Sequence, residues 1–216
     1  MIVAGIDESG RGAVLGPLVI AGVTVRRSKL RRLQMLGVID SKKLSPKNRE
    51  RLYREILKIV DDYYVNVLKP ADVDRSVASR ALNSLEAAAM ATVINRLRPQ
   101  IAYVDSCDVN PKRFRKAILS TLKCRAKVDS RHHADSENVA VSAASIVAKV
   151  RRDREILKLR QKTGNIGSGY PSDKRTMKFV HRWMHVHKKP PSFVRVSWKP
   201  VRLLLKGHTP RKVQDF

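Results

Sequence analysis

The chain has 216 residues, enough to bury a real core, and its 43% hydrophobic content is spread without long gaps, which excludes general disorder. Its 45 Lys and Arg against 19 Asp and Glu give a net charge of +26, beyond what solubility needs and a footprint for a polyanion, nucleic acid first. Two cysteines, Cys107 and Cys124, no CxxC pair, no charged-then-apolar leader and no apolar run of about 18 residues leave secretion and a membrane span unsupported, so a cytoplasmic setting is expected.

In chain order, Ile2 to Ile6 is a near-continuous apolar run and predicts a short buried strand. Asp7 and Glu8 follow at its end. Side chains alternate across a strand, so both acids reach one site only if the strand stops or twists there. Ser9-Gly10-Arg11-Gly12 then supplies a small-residue loop whose backbone N–H groups can approach a ligand. The alternative is a plain polar strand-to-turn junction. Pro17 to Val25 predicts a second strand, antiparallel to the first. The cluster Arg26, Arg27, Lys29, Arg31 and Arg32 reads equally as a solvated face or as a phosphate contact.

Ser45-Pro46 is an N-cap followed by proline at the first helical position, and Leu52, Ile56, Ile59 and Val60 recur on one face, predicting a helix over 46–61. Tyr63 to Leu68 predicts a third strand. Leu82, Leu85, Ala89, Val93 and Leu97 mark a long helix ending before Pro99. Ile101 to Val104 is a strand running into Asp105, Asn110-Pro111 caps a helix with Phe114, Ile118 and Leu122, and Arg125 to Val128 predicts a fifth strand. A polar loop containing Asp135 leads to an alanine-rich helix over 139–162, where Asp135 alone would read as a helix cap. The pattern predicts an α/β sheet, antiparallel first and parallel later, with Asp7, Glu8, Asp105 and Asp135 at strand ends or a helix entrance, where open α/β sheets bind ligands.

Residues 149–216 hold 19 Lys and Arg against 4 Asp and Glu, and Arg151, Arg152, Lys174 and Arg175 are candidate phosphate contacts. His181, His185 and His187 lack the Cys or acid that would complete a zinc set. Acids without Cys or His suit Mg2+ or Mn2+, and acids inside a cationic chain point to metal-assisted work on phosphodiesters, with two ions activating water and stabilising the leaving oxygen.

Taken together, IDESGRG with GPLVIAGV, DSKKL, YVDSCDVNPKRF, ADSENVAVSAASIVAKVRRDR and GSGYPSD resemble the ordered motifs of type 2 ribonuclease H, ribonuclease HII, in its archaeal and eukaryotic-like form. The resemblance covers roughly residues 1–200 and rests on the order of the motifs. It implies a ribonuclease H-like mixed five-stranded sheet flanked by helices, with a catalytic domain over 1–165, a basic C-terminal helical extension for duplex binding over 166–206 and a flexible tail over 207–216. Carried across, it implies that Asp7, Glu8, Asp105 and Asp135 hold two Mg2+ or Mn2+ ions. Gly10, Arg11 and Gly12 would contact the ribose 2′-hydroxyl and adjacent phosphate, Tyr170 would complete ribonucleotide recognition, and Lys42 and Lys43 would contact phosphates.

Ser9 stands where the family usually has alanine, and Glu137 where many relatives carry lysine. The implied substrate is an RNA–DNA hybrid, or a DNA duplex containing ribonucleotides cut on their 5′ side to leave 3′-hydroxyl and 5′-phosphate ends, by a monomer. The end of the tail, KVQDF, is faintly similar to a sliding-clamp-binding peptide but lacks its aromatic pair. Two rivals stand beside this reading. A related nuclease that cuts DNA would lack the Gly-Arg-Gly loop and distal tyrosine, and a non-catalytic basic binding protein would not need four acids.

Overall fold

The computed structural model of the chain describes residues 1–38 and 44–206, so Lys42, Lys43 and the tail lie outside the described residues. The elements run β1 (Ile2–Ser9), β2 (Leu18–Arg26), a 3-10 turn (Arg27–Lys29), α1 (Leu30–Met35), α2 (Pro46–Ile59), β3 (Asp62–Leu68), α3 (Pro70–Ala78) and α4 (Leu82–Leu97). Then come β4 (Ile101–Asp105), α5 (Pro111–Thr121), β5 (Lys127–Arg131), α6 (Ala134–Glu137), α7 (Val139–Thr163), α8 (Lys174–His187) and α9 (Lys199–Leu205). Among the described residues no helix is long and apolar enough to cross a membrane.

The caps read from sequence are present: Ser45 Oγ accepts from the Asn48 N–H at 3.3 Å and Asn110 Oδ1 from the Arg113 N–H at 3.1 Å, each ahead of a proline. Elements that differ from expectation include β1, β5 and α3. β1 runs on to Ser9, because its antiparallel ladder with β2 continues through Asp7↔Ala21, Glu8↔Ile20 and Ser9↔Val19 and holds polar residues extended. Its partner strand, not its own hydrophobicity, sets that end. β5 lies two to three residues later than its apolar pattern, in register with β4 from Ile101↔Lys127 to Asp105↔Arg131. The unanticipated α3 starts at a proline, and the Asp72 carboxylate accepts from the Lys69 N–H at 3.3 Å.

Two compact units share the chain. The first takes Met1–Ser9, Val19–Val67 and Asn83–Arg151. Its sheet has the order β3-β2-β1-β4-β5, with β1 antiparallel to β2, and β1–β4 and β4–β5 parallel. β2 is buried on both faces, as a continuous apolar run requires. One face packs on α2 and α7 through Val3, Val23, Val25, Ile56, Ala143 and Val147. Gly5 is required here, since a Cβ on it would collide with the Ala140 backbone of α7. The other face meets α4, where Ile6, Val93 and Leu97 close over Gly22. In the basic cluster, Asp61 engages the Arg26 N–H and the Lys29 ammonium at 2.7 Å, while Arg27, Arg31 and Arg32 are exposed.

The second unit takes Gly10–Leu18, Leu68–Leu82 and the described residues from Arg152 on. Its core joins Val14, Leu15, Ile156, Ile166, Val180 and Val194, and Leu15 bridges Val194 in antiparallel fashion.

Candidate active site

Strand alternation divides the two acids of β1. Val3, Gly5 and Asp7 face α7, whereas Ile6 and Glu8 face α4. The parallel pairing of β1 with β4 runs through Ile6↔Val104, and one step further sets Asp7 beside Asp105 on the same face. Asp105 Oδ1 accepts from the Ala134 N–H at 3.0 Å, which docks the start of α6 against the end of β4. His133, at a φ of 55°, turns the chain into that helix. Asp135 is its second residue, and the Ser142 hydroxyl of α7 donates to the Asp135 carbonyl. The result is three carboxylates, on Asp7, Asp105 and Asp135, with one oxygen from each within 4.8 Å of the others.

Burial pushes the Asp7 carboxyl up to about 7, opposed by a hydrogen bond from Ser145 and reinforced by the charges of Asp105 and Asp135. Glu8 lies outside that trio. It is half-buried, and burial first, then the charges of Asp7, Glu86 and Asp105, raise its carboxyl well above its ordinary value. Its Oε2 is sealed from solvent without a hydrogen-bond partner. Three mutually repelling carboxylates beside an unsatisfied carboxylate oxygen form a donor set suited to a hard divalent cation, which would relieve both costs. Asp7, Asp105 and Asp135 could hold one directly, with Glu8 contributing from the opposite face of β1. Glu137 is exposed, and its charge acts on Arg131.

The other candidates belong to the second unit. Gly10 has a φ of 91°, and a Cβ there would run into the Arg152 guanidinium. Gly12 is exposed with nothing within 4 Å of its missing Cβ, an open place for a ligand. Fully buried Arg195 donates to the carbonyls of Gly10 at 2.7 Å, Arg11 at 3.0 Å and Gly16 at 3.1 Å, holding the loop from behind. Gly169 joins this loop to the tyrosine segment, since its carbonyl accepts from the N–H groups of Val14 at 2.9 Å and Leu15 at 3.0 Å. Half-buried Tyr170 lies with its ring centroid 4.4 Å from the Arg152 guanidinium carbon.

One proposed phosphate contact, Arg152, is corrected by this geometry. Arg152 is only 2% exposed and donates to the Leu15 and Ser168 carbonyls, so it supports loops instead of facing a backbone. Arg175 is exposed and pairs with Asp173 through Nε–Oδ1 at 3.1 Å and Nη2–Oδ2 at 3.0 Å. Sequence reasoning also missed Ser145, Glu86 and Arg195. Ser145 links Asp7 to the Lys149 ammonium, which donates to its Oγ at 2.8 Å, and fully buried Glu86 accepts from the Cys107 thiol at 3.1 Å. The signal available was an acid inside the apolar face of α4; a buried arginine or serine leaves no mark in local sequence.

The model of the family described as Ribonuclease HII matches residues 4–201. A ribonuclease HII of Cenarchaeum symbiosum (strain A) is 52% identical over 207 residues, 96% of this chain and 100% of that protein. The crystal structure of the ribonuclease H2 from Pyrococcus horikoshii OT3 superposes with a TM-score of 0.90 at 45% identity, covering 96% of this chain and 99% of that one. The ribonuclease HII solved in complex with PCNA from Archaeoglobus fulgidus gives a TM-score of 0.86 at 42% identity, over 99% of this chain and 100% of the other.

Proposed function

This chain belongs to the ribonuclease HII family and is an endoribonuclease of RNA–DNA hybrids, and from that premise we propose that it also cuts on the 5′ side of ribonucleotides embedded in duplex DNA. The products carry 3′-hydroxyl and 5′-phosphate ends, and the role is removal of ribonucleotides during DNA replication and repair, by a cytoplasmic monomer. The observation that carries this reading is the trio of Asp7, Asp105 and Asp135 within 4.8 Å in a chain of net charge +26.

Asp7, Glu8, Asp105 and Asp135 are the proposed ligands of two Mg2+ or Mn2+ ions. Bound there, the ions supply the activation of water and the stabilisation of the leaving oxygen in an in-line displacement. The residues themselves fix the geometry. Ser145 and Lys149 orient Asp7, and the Ala134 N–H orients Asp105. Gly10, Arg11, Gly12 and Tyr170 read the 2′-hydroxyl, which distinguishes RNA from DNA. What supports that role is that both segments share one scaffold, with Arg152 beneath Gly10, Gly169 and Tyr170. Lys42 and Lys43, outside the described residues, are proposed phosphate contacts. The basic extension over 166–206 grips the duplex, and the PCNA complex of the relative supports a sliding clamp as partner.

Incubation of the pure chain with an end-labelled duplex containing one ribonucleotide, with Mg2+ or EDTA, tests the proposal. Metal-dependent cleavage 5′ to the ribonucleotide is expected. Cleavage of hybrid alone would limit the enzyme to continuous RNA, and cleavage of all-DNA duplex would overturn the reading.

A further inference from the structure

The aromatic residues of the second unit do not all serve its core. Phe179 and Phe193 pack against the cluster of Val14, Ile156 and Val180, whereas Trp183 lies off that core and is half-buried. Its ring sits 4.2 Å, centroid to centroid, from His187, 5.7 Å from Phe179 and 6.2 Å from Phe193. Trp183, His187 and Phe179 line a groove of about 900 Å3 along α8, together with exposed Lys178, Arg182 and Arg175. No carboxylate is among the groove's lining residues in the described chain.

We propose that α8 carries a platform for unpaired nucleotides, in which a base of a single-stranded nucleic acid stacks on Trp183 while Lys178 and Arg182 take the flanking phosphates. The cations lining the groove select a polyanion. The ring selects which kind: cations alone would hold a duplex by its phosphates, but the faces of paired bases are covered by their neighbours in the stack. An indole with ring surface to offer gains from bases that are free to stack on it. Spacing agrees with the assignment. Lys178 and Arg182 are one helical turn apart, and both line the same groove as Trp183. The platform lies within the basic extension, and the two roles read out differently: loss of phosphate contacts weakens binding to every strand, whereas loss of the ring removes only the preference for bases.

The test uses the full chain in EDTA and fluorescence anisotropy with two labelled strands of about 12 units, oligo(dT) and an abasic strand with the same number of phosphates. Wild type is expected to bind oligo(dT) at least about tenfold more tightly than the abasic strand. Trp183→Ala should abolish that preference, and Trp183→Phe should keep most of it. In a Trp198→Phe background, oligo(dT) should quench the remaining indole. Equal wild-type affinity for both strands, or no quenching, overturns the proposal whether or not Trp183→Ala folds. So does a Trp183→Ala chain that keeps its preference for bases, or one whose sedimenting mass falls, which would make this face a contact between two copies.

Discussion

At the residue scale, Asp7 is the decisive side chain. Asp7→Asn or Asp105→Asn should abolish cleavage while duplex affinity, supplied by the basic surface, stays largely intact; turnover by either variant at saturating Mg2+ would remove the carboxylates from the mechanism. The Asp7 carboxyl also ties stability to pH. Its folded value, pushed up to about 7, exceeds the unfolded value of 3.8, so the folded chain holds the proton more tightly. That contribution is present below the unfolded value and is lost as pH rises through about 7. In EDTA the melting temperature should fall between about pH 5 and about pH 8, less so in Asp7→Asn, and a divalent cation should raise it most at the alkaline end. Tyr170→Ala should lose roughly tenfold or more in kcat/KM on the embedded ribonucleotide, the scale of an interaction worth about 1.4 kcal/mol. Tyr170→Phe separates the phenol from the ring that lies by Arg152, and wild-type rates for Tyr170→Ala would make the ring structural.

At the element scale, β1 and the loop after it place opposite demands on their glycines. Gly5 faces the backbone of α7 and has no flexible neighbour to yield, so Gly5→Ala should cost at least about 3 kcal/mol in urea unfolding or prevent folding. Gly12 has open space and no left-handed backbone. Gly12→Ala should therefore melt within about 2 °C of wild type yet lower kcat/KM on a single ribonucleotide, because the added methyl enters the space proposed for the sugar. Normal activity in a folded Gly12→Ala would place the 2′-hydroxyl elsewhere.

At the scale of the whole molecule, charge acts only where it reaches solvent. Lys174, Lys188 and Lys189 are exposed, while Arg152 and Arg195 are buried in loop-holding roles. Replacing the three lysines with glutamine should flatten the dependence of log affinity on log salt by up to about 0.9 for each phosphate they neutralise. An unchanged slope would place the duplex on another face. Arg152→Gln should instead lower the melting temperature, since it empties a buried site spanned by two glycines and a tyrosine.

What the sequence by itself determined was the set of apolar runs that became β1, β2 and β4, the capped starts of α2 and α5, and the acids Asp7, Asp105 and Asp135, because local hydrophobicity and turn chemistry are written in neighbouring residues. The tertiary structure alone decided the division of labour between Asp7 and Glu8. Nothing local says whether a strand stops after Ile6 or continues to Ser9; the ladder with β2 continues it, and a continuing strand must send the two carboxylates to opposite faces. The same holds for Arg152 and Arg195, which in composition count with the surface charge and in the fold are bound to carbonyls of loops, at Gly10 and Gly16 about 180 residues away for Arg195. Partners so distant in sequence are chosen by packing, and no local pattern encodes them.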